Sequence, residues 1–178
     1  MKAAACASVK ILVLGIGNIL LKDDGAGVHA LDQLAGHYEF SDNVTLMDGG
    51  TSGLKLVDAI MAADRLVVFD AVQAGRQPGT VHRLTPEDLQ NTLVCKGSLH
   101  DMGILEALNC AGLLGRRPIS VIIGIEPENL TDWSTTLSAA VKAGLESMMQ
   151  AALAEIRRFG GGCRPRLNQT PHITPLRS

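Results

Sequence analysis

Four short apolar runs, each closing on glycine or an acid, set the architecture open to this chain. They are Lys10–Leu14 ahead of Gly15, Val44–Met47 ahead of Asp48, Leu66–Phe69 ahead of Asp70, and Ile119–Ile125 ahead of Glu126. Short runs without alternating polar positions are the pattern of strands buried on both faces. Between them the apolar spacing becomes helical. Val28, Leu31, Leu34 and Ala35 form one stripe up to about Tyr38, and Leu54, Val57, Ile60 and Met61 form another. Ser98-Leu99-His100-Asp101 has the capping-box form and predicts a helix running to about Leu114. A last stripe, Leu137, Val141, Leu145, Met148, Ala152 and Ile156, predicts a helix that starts near Ser134 or Thr135 and stops at Gly160. Gln77-Pro78-Gly79 marks a turn from which Thr80–Leu84 returns as an edge strand.

This alternation predicts an α/β fold, a three-layer α/β/α sandwich around a twisted, mostly parallel sheet of about five strands. No repeat or linker divides residues 1–160, which read as one domain. Residues 161–178, polar and punctuated by proline, read as a mobile C-terminal tail.

The composition narrows the partners. A net charge of −2 gives no electrostatic footprint for nucleic acid or an anionic membrane, and aromatics at 3% supply no stacking platform for single strands. Cys6, Cys95, Cys110 and Cys163 form no C-x-x-C pair, so free thiols in a reducing compartment are expected. The opening MKAAACAS imitates a leader, but Lys10 interrupts it and Gly15, Gly17 and Asn18 break the apolar run that follows. No stretch is long and apolar enough to span a bilayer. A cytoplasmic protein is expected.

In open parallel sheets the functional crevice lies beyond the carboxyl ends of the strands. There this sequence places Asp23 and Asp24, then Asp48, Asp70 and Glu126. Each acid alone could cap the helix that follows it. As a set they repel one another unless a cation offsets them. His100, in the first turn of its predicted helix, would be disfavoured as imidazolium, and neutral imidazole is the metal-binding form. Two carboxylates and an imidazole suit zinc, nickel, manganese or cadmium and leave coordination positions open. The pair Gly15-x-Gly17 with Asp48 offers half of a dinucleotide fingerprint. However, Leu20 stands where the third glycine belongs, and Asp23 and Asp24 lie where a pyrophosphate needs bare N–H groups.

The run GIGNILLKDDGAGVHAL resembles the opening motif of the nickel–iron hydrogenase maturation endopeptidases, and MDGGTSG, LVVFDAV, SLHDMG and the EP segment after Gly124 continue the match in order. The resemblance covers about residues 10–159. It implies an α/β/α sandwich and an endopeptidase that removes the C-terminal peptide of a hydrogenase large-subunit precursor after nickel insertion. It also implies that Asp24, Asp70 and His100 are the metal-contacting and catalytic positions. Many members carry Glu where this chain has Asp24. The expected metal is nickel carried by the substrate, with no tightly bound cofactor of the protein's own. The expected partner is the precursor, met by a monomer. Asp48, Gly49, Gly50 and Thr51 are expected to line the same cleft. A zinc metallopeptidase of general specificity and a non-catalytic metal-checking chaperone are the alternatives.

Overall fold

A computed structural model describes residues 8–96 and 102–166. The first strand, β1 (Ile11–Ile16), leads through a 3₁₀ turn (Lys22–Gly25) into helix α1 (Ala26–His37). After β2 (Tyr38–Phe40) and β3 (Val44–Gly50) comes a second 3₁₀ turn, Gly53–Leu56, running into α2 (Val57–Ala62). Strands β4 (Arg65–Ala71) and β5 (Val81–Leu84) precede the helices α3 (Pro86–Lys96) and α4 (Met102–Leu113). Strand β6 (Ile119–Ile125), helix α5 (Ala139–Arg158) and strand β7 (Cys163–Pro165) complete the described chain.

The main sheet has five strands in the order β3-β1-β4-β6-β5. Four are parallel, and β5 runs antiparallel to β6 at the edge, as the turn at Gln77-Pro78-Gly79 requires. Alternate residues of each buried strand serve opposite faces. Ile11 and Val13 of β1, with Val67 and Phe69 of β4, pack beneath α1 and α5. Leu12 and Leu14, with Leu66 and Val68, pack against α2 and α4. Helices therefore cover both faces of a mostly parallel sheet, the predicted three-layer arrangement.

Three boundaries differ from expectation. The region between β5 and His100 holds α3, whose start is marked by a reciprocal cap. Thr85 N and Oγ1 donate to Asp88 Oδ2 at 3.0 and 2.8 Å, and Asp88 N donates back to Thr85 Oγ1 at 3.1 Å. Helix α5 begins at Ala139, not near Ser134, because Ser138 is its N-cap and accepts from Val141 N at 3.3 Å. Residues ahead of it are drawn to the loop after β1 instead. Beyond Gly160 the chain still pairs: β7 lies antiparallel to β2, and Arg166 N donates to His37 O at 2.9 Å.

The strand order fixes where a ligand can enter. From β1 the chain crosses to β3 on one side and then to β4 on the other, so the switch point lies between the carboxyl ends of β1 and β4. Two connections leaving in opposite directions open a crevice there.

Candidate active site at the sheet switch point

Asp24 follows β1 and Asp70 is the penultimate residue of β4, so the two carboxylates flank the switch point. Both line one cavity of 230 Å³, whose near wall is Gly17, Asn18 and Leu21. Gly50 and Thr51 from the end of β3, and Gly103 and Ile104 from the start of α4, form its other walls.

Local geometry forces Asp24 into this place. Gly17 has φ +125°, and a Cβ there would collide with the Asp24 carbonyl oxygen, so only glycine lets the turn close. Asp24 Oδ2 then accepts from Asn18 N at 2.7 Å. Among the described residues nothing donates to Asp24 Oδ1. A helix-capping role is excluded, because α1 has Gly25 at its N-cap and no side-chain cap bond. Capping is excluded for Asp70 too, since β4 is followed by a loop and β5. Asp70 is buried, with Oδ1 accepting from Ala71 N at 2.8 Å. Gly27 allows this approach of α1 to the sheet: a Cβ on it would meet the carbonyl oxygens of Ile16 and Phe69.

The neighbouring acids do other work. Asp23 is completely buried, and its Oδ2 accepts from Glu128 N and Asn129 N at 2.9 and 3.0 Å. Its Oδ1 accepts from Ser138 N at 2.7 Å. Asp23 thus ties the loop after β1 to the loop before α5. Glu126 is likewise structural, accepting from Ala74 N and Gly75 N at 2.8 and 2.9 Å and facing His82 Nε2 at 3.3 Å. Asp48 is exposed and accepts from Gly50 N at 2.8 Å within its own turn. Its charge, second to burial itself, pushes the carboxyl of Asp32 above the usual range. Of the four residues expected in the β3 segment, Gly50 and Thr51 line the cavity and Asp48 and Gly49 do not.

His100 lies outside the described residues. In the chain it stands three positions ahead of Gly103, which lines the cavity. Asn18 and Leu21 line the cavity, and the sequence reading gave neither of them a place in the site. The signal for them was the glycine pair beside two acids, which marks a loop wrapped on a functional turn.

A mostly parallel α/β sandwich with two carboxylates at its switch point does not by itself name a function, and comparison with known proteins gives the class. Residues 28–155 match the family model described as HycI, hydrogenase maturation protease. The hydrogenase expression/formation protein HupD of Thiocapsa roseopersicina is 41% identical over 169 residues, spanning 92% of this chain and 76% of that protein. The hydrogenase 2 maturation protease of Escherichia coli K12 is 33% identical over 160 residues, spanning 89% of this chain and 97% of that one. The solved structure of the hydrogenase maturating endopeptidase HybD from Escherichia coli superposes with a TM-score of 0.82 at 33% identity, covering 89% of this chain and 98% of that one. The chain belongs to the hydrogenase maturation protease family and is a peptidase of that class.

Proposed function

We propose that this protein removes the C-terminal peptide of a nickel–iron hydrogenase large-subunit precursor, and that Asp24, Asp70 and His100 read the nickel already placed in that substrate. The observation that carries the reading is the shared cavity of Asp24 and Asp70 at the switch point. Neither acid is a helix cap. Two carboxylates facing one small crevice repel each other until a cation arrives. A hard-to-borderline oxygen and nitrogen set matches nickel and leaves positions for ligands that the substrate brings.

Docking of the nickel-loaded precursor would bring its scissile amide into the crevice. The substrate's metal would polarise the scissile carbonyl, or one of the carboxylates would accept a proton from the attacking water. The water oxygen bonds to the carbonyl carbon, the carbon–nitrogen bond breaks, and the proton passes to the leaving amine. Gly50 and Gly103 leave the walls open to a close-lying peptide backbone. The protein is expected to act as a monomer in the cytoplasm and to carry no tightly bound metal of its own. No helix among the described residues is long and apolar enough to cross a membrane.

The test is to incubate the protein with nickel-loaded precursor and follow the mass of the precursor's C-terminal region. Loss of the terminal peptide supports the reading. Binding without cleavage would instead mark a metal-checking chaperone, and cleavage of unrelated peptides with stoichiometric zinc a general metallopeptidase.

A further inference from the structure

Beside the crevice the structure holds an apolar rim that the proposed chemistry does not use. Trp133 is 80% exposed, Leu20 48% and Ile19 45%. Burying such side chains is favourable, so clustered exposure next to a cleft points to a partner.

The three residues are brought together by two loops distant in sequence. Ser134 N donates to Leu20 O at 2.9 Å, and Lys22 N donates to Ser134 O at 2.7 Å. Leu21 and Ser134 form a parallel bridge, which sets Leu20 and Trp133 side by side. Asp23 locks the same pair of loops through the amides of Glu128, Asn129 and Ser138. Lys22, at φ 43°, takes a left-handed conformation that a non-glycine residue adopts at a cost, and the bonds on either side hold it there. Its ammonium lies 3.5 Å from Asp132 Oδ2, so the charges flanking the aromatic ring offset each other. The rim is therefore built, and its tryptophan is held in water by backbone bonds.

The rim is also continuous with the crevice. Ile19 and Leu20 lie between Asn18 and Leu21, which both line the cavity with Asp24. A chain seated on the rim would run directly into the site.

We propose that Trp133, Leu20 and Ile19 form a preformed dock for an apolar stretch of the precursor polypeptide adjoining its scissile bond, with Trp133 as the anchor. This rests on the proposed peptidase reading of the crevice. Exposed aromatic anchors on loops held by backbone bonds bind at a reduced ordering cost and concentrate the energy of an interface. The rim makes the enzyme specific for its precursor through the chain beside the metal as well as through the metal itself.

Trp133 is the chain's only tryptophan, which allows a direct test. Fluorotryptophan-labelled protein gives one fluorine resonance, recorded alone and at saturating nickel-loaded precursor in the cold. The resonance is expected to shift and lose solvent exposure on precursor addition. An unshifted resonance while precursor is bound or cleaved overturns the dock and leaves the peptidase reading standing. A shifted resonance in the cold with no cleavage after warming supports a dock for the precursor and removes the reading of the crevice as the site of cleavage. A shift that grows with protein concentration before precursor is added, together with sedimentation as a dimer, overturns the proposal in favour of a second copy of this chain. In parallel, Trp133→Ala is expected to raise KM about tenfold or more with kcat little changed, and Trp133→Phe to restore most of the loss. An unchanged KM in Trp133→Ala contradicts the anchor role.

Discussion

Asp23 and Asp24 are adjacent, yet their carboxylates point to opposite duties. Asp23 is sealed in the protein with both oxygens bonded to backbone amides of the segment 128–138, whereas Asp24 keeps one oxygen on Asn18 N and lines the crevice. The 3₁₀ turn at Lys22–Gly25 produces this divergence, since consecutive side chains leave it in different directions. Substitution separates the two roles. Asp23→Ala leaves three buried or part-buried donors without an acceptor and is expected to cost about 3–5 kcal/mol of stability. Asp24→Ala is expected to leave the melting temperature nearly unchanged and to remove processing. Thermal melts and precursor cleavage on the same two variants check this, and an equally stable Asp23→Ala protein would refute the structural role.

Reach at the first site position is tested by Asp24→Glu. The carboxylate there is one methylene shorter than the Glu that the family resemblance implies for many members, and Asp24 lines the crevice. The variant is expected to process precursor at a rate close to that of the parent. Complete loss would show that the crevice is shaped for aspartate.

His100→Ala is expected to abolish precursor processing while circular dichroism and melting temperature stay at parental values. Parental activity in this variant would take His100 out of the site.

Gly17→Ala places a methyl group against the Asp24 carbonyl at a backbone angle that alanine rarely adopts. A loss of about 3 kcal/mol or more in denaturant unfolding is expected, accompanied by loss of processing. A variant as stable as the parent would contradict the geometry of the turn.

The pH dependence of stability has a definite source in the ion pair joining β5 to α5. Arg83 Nε donates to Glu155 Oε1 at 2.7 Å, and this bond, with Arg158 nearby, holds the buried Glu155 carboxyl below the usual range. A folded-state value below the unfolded one of about 4.3 means the contribution is complete above that pH and is lost as pH falls through the folded value. Melting temperature is expected to fall on acidification below about pH 4.3, and less steeply in Glu155→Gln. Identical slopes in the two proteins would remove this pair as a cause.

Much of the fold was legible because the burial is so regular. The runs ending at Gly15, Asp70 and Glu126 are strands buried on both faces, and their shortness and lack of alternating polar positions already marked them. Helix α3 was missed because its exposed sequence carries little apolar stripe, although Thr85-Pro86-Glu87-Asp88 already held the cap. The start of α5 was misplaced because Ser134 and Ser138 are both plausible caps. Only the bonds of Ser134 to Leu20 and Lys22 decide between them, and those are tertiary. For the same reason the residue pattern could gather the strand-end acids but not sort them, and only the family resemblance singled out Asp24 and Asp70. Which acid faces the crevice depends on the turn at Gly17 and on the loop that Asp23 holds.

The central claim is that the crevice of Asp24 and Asp70 reads a metal in the substrate. The most direct measurement compares the affinity and cleavage of nickel-loaded and nickel-free precursor for the parent protein and for Asp70→Asn, a change of charge at nearly constant shape. The parent is expected to bind the nickel-loaded form at least about tenfold more tightly and to cut only that form, and Asp70→Asn to lose the preference and about a hundredfold or more in cleavage rate. Equal binding and cleavage of both precursors by the parent, or an undiminished preference in Asp70→Asn, would contradict the account.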